Sequence, residues 1–338
     1  MTEVPPDKAA QLKALRARLA RLGAGAGQKI SGAVLSPTEL RRLVLKQRHE
    51  APPSRGPAEP ILYRRDLPRQ VLRRGAGRAS SGPKVVLEQA VTGAEQIHPL
   101  GGPAVVVSTP VVELAGAEAL SDTFDRMLTS VGSRISRRLA AVCGETDLSP
   151  SDLIFMDIET TGLTSSPLFL IGVMLWGTRG FEVHQYFARH YAEERGVLAM
   201  FLEACSPRKV LVTFNGKSFD YPYVRARCAA TGLPFGLDPA HLDLLHESRR
   251  VWRKSLPNCR LQTLERSICR RARSGDIPSS EIPEAYHAYV RSADAREMVE
   301  VLKHNMLDLV TLADLMTRFP EPEDESSDGS SAGPVVCS

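Results

Sequence analysis

The run LIFMDIE, residues 153–159, decides the fold because it is apolar almost throughout and ends in two carboxylates. Such a run is typical of a strand buried in a sheet. Asp157 and Glu159 are two residues apart, so on a strand both side chains point to the same side. Neighbouring buried acids raise each other's pKa unless a cation lies between them, and Mg²⁺ or Mn²⁺ prefers carboxylate oxygens. A solvent-exposed acidic pair at a strand end is the competing interpretation.

The segments that follow predict a mixed α/β domain. LFLIGVMLW (168–176) and FEVHQYF (181–187) are predicted strands with tight connections, so the three strands form a meander. The order βββαβα with a last helix is that of an RNase H-like fold, a mixed sheet flanked by helices. The other predicted elements are a helix over 192–205, a strand over 210–215, a helix over 221–230, a strand or a helix within 242–253, and a long helix over 295–317.

The sequence before this domain differs in composition and predicts a smaller, partly disordered basic N-terminal region. Between residues 41 and 84 there are 12 Lys or Arg and 3 Asp or Glu, which indicates a disordered linker or a basic arm that touches nucleic acid. Short strands are expected in 84–112 and helix in 119–142. The predicted parts are an N-terminal helical segment (1–50), a basic linker (51–83), a lead-in of small strands and helices (84–149), the RNase H-like domain (150–318) and an acidic disordered tail (319–338).

Length and composition limit the classes of protein that the chain can be. With 338 residues, 43% of them hydrophobic, the chain can build one or two domain cores, and its net charge of +4 says little about partners. No apolar run is long enough to predict a membrane span, and the polar segment after Met1 does not resemble a secretory signal. The six cysteines form no C-x-x-C pair, so we expect free thiols in a reducing, cytoplasmic environment.

Two further acids stand at positions that suit a site. Asp220 lies in NGKSFDYP (215–222), where the glycine permits a sharp turn and the proline opens a helix. An aspartate there also suits an N-cap, so helix capping is a competing interpretation. His304 and Asp308 are four residues apart on the long predicted helix and therefore share one face. A single helical histidine is more often structural, but one turn before an aspartate it becomes a candidate catalytic residue.

Three motifs, in this order, resemble those of a nuclease superfamily. DIETTGL (157–163), TFNGKSFDYPYVRARC (213–228) and HNMLDLVTL (304–312) are similar to the three exonuclease motifs of the DEDD superfamily, and the second also resembles the proofreading domain of B-family DNA polymerases. A fuller similarity, over about residues 150–318, is to a prokaryotic group of stand-alone RNase H-like predicted exonucleases. Further segments that carry this resemblance are FLIGV (169–173), QYF (185–187) and DLLH (243–246).

The resemblance implies a metal-dependent 3′→5′ exonuclease that acts on ends of single-stranded DNA or RNA. It implies two Mg²⁺ or Mn²⁺ ions held by four acids, and a base near the last acid. The superfamily has tyrosine four residues, or histidine five residues, before that acid, whereas here His304 stands four before it. The implied metal ligands are Asp157, Glu159, Asp220 and Asp308, and the candidate substrate-binding residues are Thr160, Asn215, Lys217, Phe219 and Tyr221.

Several features stay open at the level of sequence. Lys217 can pair with a phosphate or remain solvated, and one of Phe219 and Tyr221 is expected in the core while the other stacks on a terminal base. The competing functions are a structure-selective endonuclease on the same fold and a non-catalytic nucleic-acid-binding scaffold. Loss of one acid would favour the scaffold, and all four are present.

Overall fold

A single seven-stranded sheet organises the structure, a computed structural model that describes residues 83–130, 132–162 and 166–320. The predicted helical segment of residues 1–50, the linker up to residue 82 and the tail from residue 321 lie outside the described residues. The strands are β1 (Gly93–His98), β2 (Gly102–Pro110), β3 (Leu153–Thr160), β4 (Leu168–Gly177), β5 (Gly180–Phe187), β6 (Val210–Thr213) and β7 (Ala240–Asp243).

The order of the strands is β1-β2-β5-β4-β3-β6-β7. Strands β3, β4 and β5 form the predicted antiparallel meander, whereas β6 pairs in parallel with β3 and β7 in parallel with β6. The sheet is therefore mixed, as the sequence predicts. Because β3 and β6 run in the same direction, the acidic end of β3 and the loop after β6 lie at one edge.

Helices cover both faces of the sheet and bury two apolar clusters. The helices are α1 (Leu87–Ala90), α2 (Leu120–Thr129), α3 (Arg134–Cys143), α4 (Glu194–Cys205), α5 (Asp220–Ala230), α6 (Leu244–Trp252), α7 (Leu261–Ser267), α8 (Ile282–Ser292) and α9 (Arg296–Arg318). Side chains of α4, α5 and α8 join one cluster, and those of α2, α3, α6 and α7 join the other. Helix α9 contributes to both clusters. A mixed sheet with helices on both faces is the RNase H-like arrangement that the sequence predicts, so the fold class is confirmed. None of the helices within the described ranges is long and apolar enough to span a membrane.

The region before β3 differs in part from its prediction. The expected strand over AVVVST is present as β2, but the Val85–Leu87 stretch leads into the single helical turn α1 instead of a strand. Strand β2 pairs with β5 and β1 with β2, so both strands extend the main sheet. The helix expected over 119–142 is two helices, because α3 starts afresh at Ser133, whose side chain accepts the Ser136 amide hydrogen.

Residues 242–253, which fit a strand or a helix, contain both. Strand β7 ends at Asp243, and α6 begins immediately after it. The change occurs there because the Asp243 side chain caps α6 by accepting a hydrogen bond from the Leu245 amide. Downstream, the amphipathic pattern of α6 buries Leu244, Leu245 and Ser248.

Candidate active site

The four predicted acids line one cleft at the edge where β3 and β6 end. Asp157 and Glu159 extend from β3, Asp220 is the first residue of α5, and Asp308 lies on α9, which packs against β3. The cleft has a volume of about 500 Å³, within the range of small-molecule sites. The fold therefore brings together acids that are up to 151 positions apart in the chain (157 to 308).

Three of these acids bind protons more tightly than usual. Burial, and then the charges of Asp308, Glu159 and Asp220, raise the pKa of Asp157 well above its ordinary range. Burial raises the pKa of Glu159 to about 8, although His304 opposes the rise. Burial also raises the pKa of Asp220 to about 7. Ionised carboxylates in this cleft are thus destabilised, first by burial and then by one another.

Asp220 does not cap the helix that it begins. The N-cap of α5 is Phe219, and no side chain makes a capping hydrogen bond there. Instead, the Asp220 carboxylate is buried and lines the cleft. Burial raises its pKa, and hydrogen bonds from its own backbone and from the Ile158 backbone oppose the rise. The capping interpretation of this residue is therefore wrong.

A chain of amide groups orients Asp157. The Asn305 Nδ2 atom donates to Asp157 Oδ2 at 2.8 Å, and Gln185 Nε2 donates to Asn305 Oδ1 at 2.8 Å. Gln185 and Asn305 are both buried, so each amide is fixed by its partner. A Cβ atom on Gly172, which lies opposite Asp157 on β4, would come within 2.0 Å of Asn305 Oδ1. Gln185 and Asn305 thus fix the Asp157 carboxylate, and Gly172 leaves the room that Asn305 needs.

An arginine holds Asp308. The Arg273 side chain is 7% exposed and forms ion pairs with Asp308, with Glu265 at 2.7 Å and with Asp276 at 3.3 Å. Glu265 in turn accepts a hydrogen bond from Thr311 on α9. Sequence reasoning missed Arg273, Glu265 and Asp276, because they lie in α7 and the irregular segment after it, where no periodic pattern indicates their neighbours.

His304 lies between two carboxylates. Its Nδ1 atom donates to Asp276 Oδ1 at 2.9 Å, and its Nε2 atom is 3.6 Å from Asp308 Oδ2. Burial alone would lower the pKa of His304, but the hydrogen bond to Asp276 and the charges of Asp308 and Glu159 together raise it. With Nδ1 bound to Asp276, Nε2 is the nitrogen that faces the acids of the cleft.

A further aspartate, Asp243, fixes the conformation of the loop after β6. Its carboxylate accepts hydrogen bonds from the backbone amides of Asn215 at 2.8 Å and Lys217 at 3.1 Å. Asn215 has a φ of 67°, a left-handed conformation that asparagine tolerates better than most residues. The DLLH motif that begins at residue 243 therefore supports the NGKS loop.

The predicted substrate-binding residues separate into two groups. Thr160, Asn215 and Phe219 line the cleft, and the Phe219 side chain is exposed. The Lys217 side chain is exposed but does not line the cleft. Tyr221 also lies away from it, because its ring packs against Phe235 and its hydroxyl donates to a backbone carbonyl at 2.8 Å. Of the two predicted aromatic residues, Phe219 lines the cleft and Tyr221 does not.

The acids fit a hard divalent cation by their chemistry. Among residues 83–130, 132–162 and 166–320, no three His, Cys, Asp or Glu side chains already surround one metal position. The raised pKa values of Asp157, Glu159 and Asp220 nevertheless indicate that these oxygen donors, gathered in a single cleft, are unfavourable as carboxylates without a cation. Their negative charge is what a cation with a preference for carboxylates neutralises.

Comparison with known proteins finds a family match and several partial similarities. The uncharacterized protein YprB of Bacillus subtilis (strain 168) is 31% identical over 170 residues, which cover 49% of this chain and 41% of YprB. The chain thus spans less than half of that relative's length. The family B DNA polymerase of the hyperthermophilic archaeon Pyrobaculum calidifontis aligns with a TM-score of 0.40 and 19% identity, over 51% of this chain and 25% of the polymerase chain. Residues 154–319 match the model of the RNase H superfamily, in agreement with the RNase H-like fold of this part of the chain.

Proposed function

We propose that this chain is a metal-dependent nuclease that removes nucleotides from the 3′ end of single-stranded nucleic acid. The observation that carries the proposal is the meeting of Asp157, Glu159, Asp220 and Asp308 in one cleft, with burial and mutual repulsion that favour a bound cation. These acids would hold Mg²⁺ or Mn²⁺, most simply as a pair of ions. Bound divalent ions supply an activated water and stabilise the charge that develops on a phosphoryl group.

The histidine of the cleft is placed to handle a proton. His304 receives its orientation from Asp276 through Nδ1, so Nε2 remains for a proton that leaves an attacking water. The neighbouring carboxylates stabilise the imidazolium that would form, as the raised pKa of His304 indicates. This arrangement supports a general-base role although His304 stands at the spacing that the superfamily uses for tyrosine.

The walls of the cleft suit a terminal nucleotide. Phe219 presents an exposed ring on which a base can stack. Asn215 and Thr160 add polar groups on the side of the acids, where they can contact sugar or phosphate. A single strand fits this arrangement because its last base is free to leave the stack.

Degradation of end-labelled oligonucleotides tests the proposal. Single-stranded DNA and RNA, each labelled at the 5′ end in one set and at the 3′ end in another, are incubated with Mg²⁺ or Mn²⁺. We expect the 3′ label to leave as a mononucleotide and the 5′ label to form a ladder, and we expect Asp157→Asn to abolish both. Oligonucleotides that stay intact with either metal would contradict the proposal. A defined internal cut would favour a structure-selective endonuclease instead.

A further inference from the structure

The segment that leads from β7 back to the site is strongly basic. Residues 244–273 contain nine Lys or Arg, namely Arg249, Arg250, Arg253, Lys254, Arg260, Arg266, Arg270, Arg271 and Arg273. The same residues contain two acids, Glu247 and Glu265. This excess is local, because the whole chain has a net charge of only +4.

Three of the nine cations have acidic partners. Arg250 pairs with Glu247, Arg271 with Asp314, and Arg273 with the network around Asp308. The side chains of the other six are exposed and form no salt bridge or hydrogen bond with any residue in the described ranges. These six, which we name the α6–α7 basic surface, are Arg249, Arg253, Lys254, Arg260, Arg266 and Arg270.

No exposed acid within the segment neutralises this surface. Glu247 is already bound by Arg250 and by Arg138 of α3. Glu265 is buried and bound by Arg273. Exposed charges that lack local partners are free to bind a ligand of opposite charge, and their long side chains lose entropy only when that ligand arrives.

The segment that carries the α6–α7 basic surface is flanked at both ends by residues that contact cleft residues. The segment follows Asp243, whose carboxylate holds the loop that carries Asn215. It ends at Arg273, which pairs with Asp308.

A cleft lined by acids offers a polyanionic substrate little attraction until a cation is bound. In the metal-free state, attraction for the phosphates of a strand has to come from cations beside the cleft. Arginines, which predominate in the surface, bind phosphate oxygens through two parallel hydrogen bonds. We propose that the α6–α7 basic surface binds the phosphate backbone of a nucleic-acid strand, outside the cleft that would hold the end of that strand. This inference rests on the proposed function and names where the rest of its substrate lies.

Binding without cleavage tests this inference separately from the nuclease activity. A fluorescent single strand of about 20 nucleotides is titrated in EDTA, and its affinity is measured from about 50 to 200 mM salt. The test variant combines Arg253→Gln, Arg260→Gln and Arg266→Gln. The control variant removes three charges elsewhere, at Lys84, Arg126 and Arg137, which are exposed and precede β3.

We expect the test variant to reduce the slope of log affinity against log salt by about 2, since each single-strand phosphate contact contributes about 0.7. The control variant should keep the slope of the natural sequence. Equal slopes for both variants would overturn the inference. An equally tight complex with polyglutamate of the same charge would assign the surface to acidic proteins and also overturn it. Binding with the expected slope but no cleavage in Mg²⁺ or Mn²⁺ would support the surface and contradict only the nuclease proposal.

Discussion

Replacing Glu159 by glutamine should stabilise the metal-free protein at neutral and alkaline pH. Burial raises the pKa of this carboxyl from its ordinary value of 4.5 to about 8, with the charges of Asp308, Asp220 and Asp276 adding to the rise and His304 opposing it. A carboxyl with a raised pKa keeps its proton in the folded state when it would lose it in the unfolded chain. Its contribution to stability is therefore complete below pH 4.5 and is lost as the pH rises through 8.

The size of this loss follows from the two pKa values. At about 1.36 kcal/mol per pKa unit, the shift from 4.5 to about 8 sets an upper limit of about 5 kcal/mol. Glu159 is partly exposed, so solvent screening reduces the penalty. We expect Glu159→Gln to raise the free energy of unfolding by about 1–3 kcal/mol at pH 8 and to change it little at pH 4.

Urea denaturation in EDTA at these two pH values measures the effect. The difference between variant and natural protein reports Glu159 together with its effect on the pKa of Asp157 and His304, both of which the Glu159 charge raises. Glu297→Gln, an exposed position on α9, is the matched control and should change stability by less than about 0.5 kcal/mol. Added Mg²⁺ should stabilise the natural protein more than the variant. A variant that is less stable than the natural protein at pH 8 would refute the raised pKa.

Three further substitutions examine the groups that support the cleft. Gly172→Ala should displace Asn305 and destabilise the fold by about 1–3 kcal/mol, and it should weaken Mn²⁺ binding in calorimetry by about 10- to 100-fold; unchanged Mn²⁺ affinity would argue against the orienting role of Asn305. Arg273→Met leaves Glu265 buried without a counter-charge and should lower the free energy of unfolding, measured by urea denaturation, by about 3–5 kcal/mol. Arg273→Lys keeps the charge, so a smaller loss of stability for Arg273→Met than for Arg273→Lys would contradict this reasoning. Tyr221→Phe loses one hydrogen bond, about 0.5–1.5 kcal/mol, and should leave kcat on oligonucleotides unchanged, whereas a large fall in kcat would place the ring at the substrate.

Features fixed by local pattern were predictable from the sequence. The strand over LIFMDIE is found as β3 (Leu153–Thr160), because a long apolar run has few other stable arrangements. The long helix predicted over 295–317 is found as α9 (Arg296–Arg318), because its apolar positions keep the helical period over many turns. In both cases the burial pattern of one segment was enough to define it.

Features fixed by distant contacts were not predictable. Arg273 is 35 positions from Asp308 in the sequence, and the two meet only because α7 packs against α9. The importance of Gln185 was visible as part of a motif, but its contact with Asn305 depends on the register of β5 against β4 and the packing of α9 on the sheet. The helical turn at Leu87 likewise contradicts its local strand pattern.

Two kinds of support hold two of the acids that line the cleft. Asp157 receives a neutral amide at Oδ2, and Asp308 receives the Arg273 guanidinium at Oδ1. A neutral donor fixes a carboxylate without cancelling its charge, whereas a buried guanidinium cancels most of it. Asp157 therefore keeps a strong field for a cation. The other oxygen of Asp308, Oδ2, lies 3.6 Å from His304 Nε2, so it is held less tightly than the oxygen bound by Arg273.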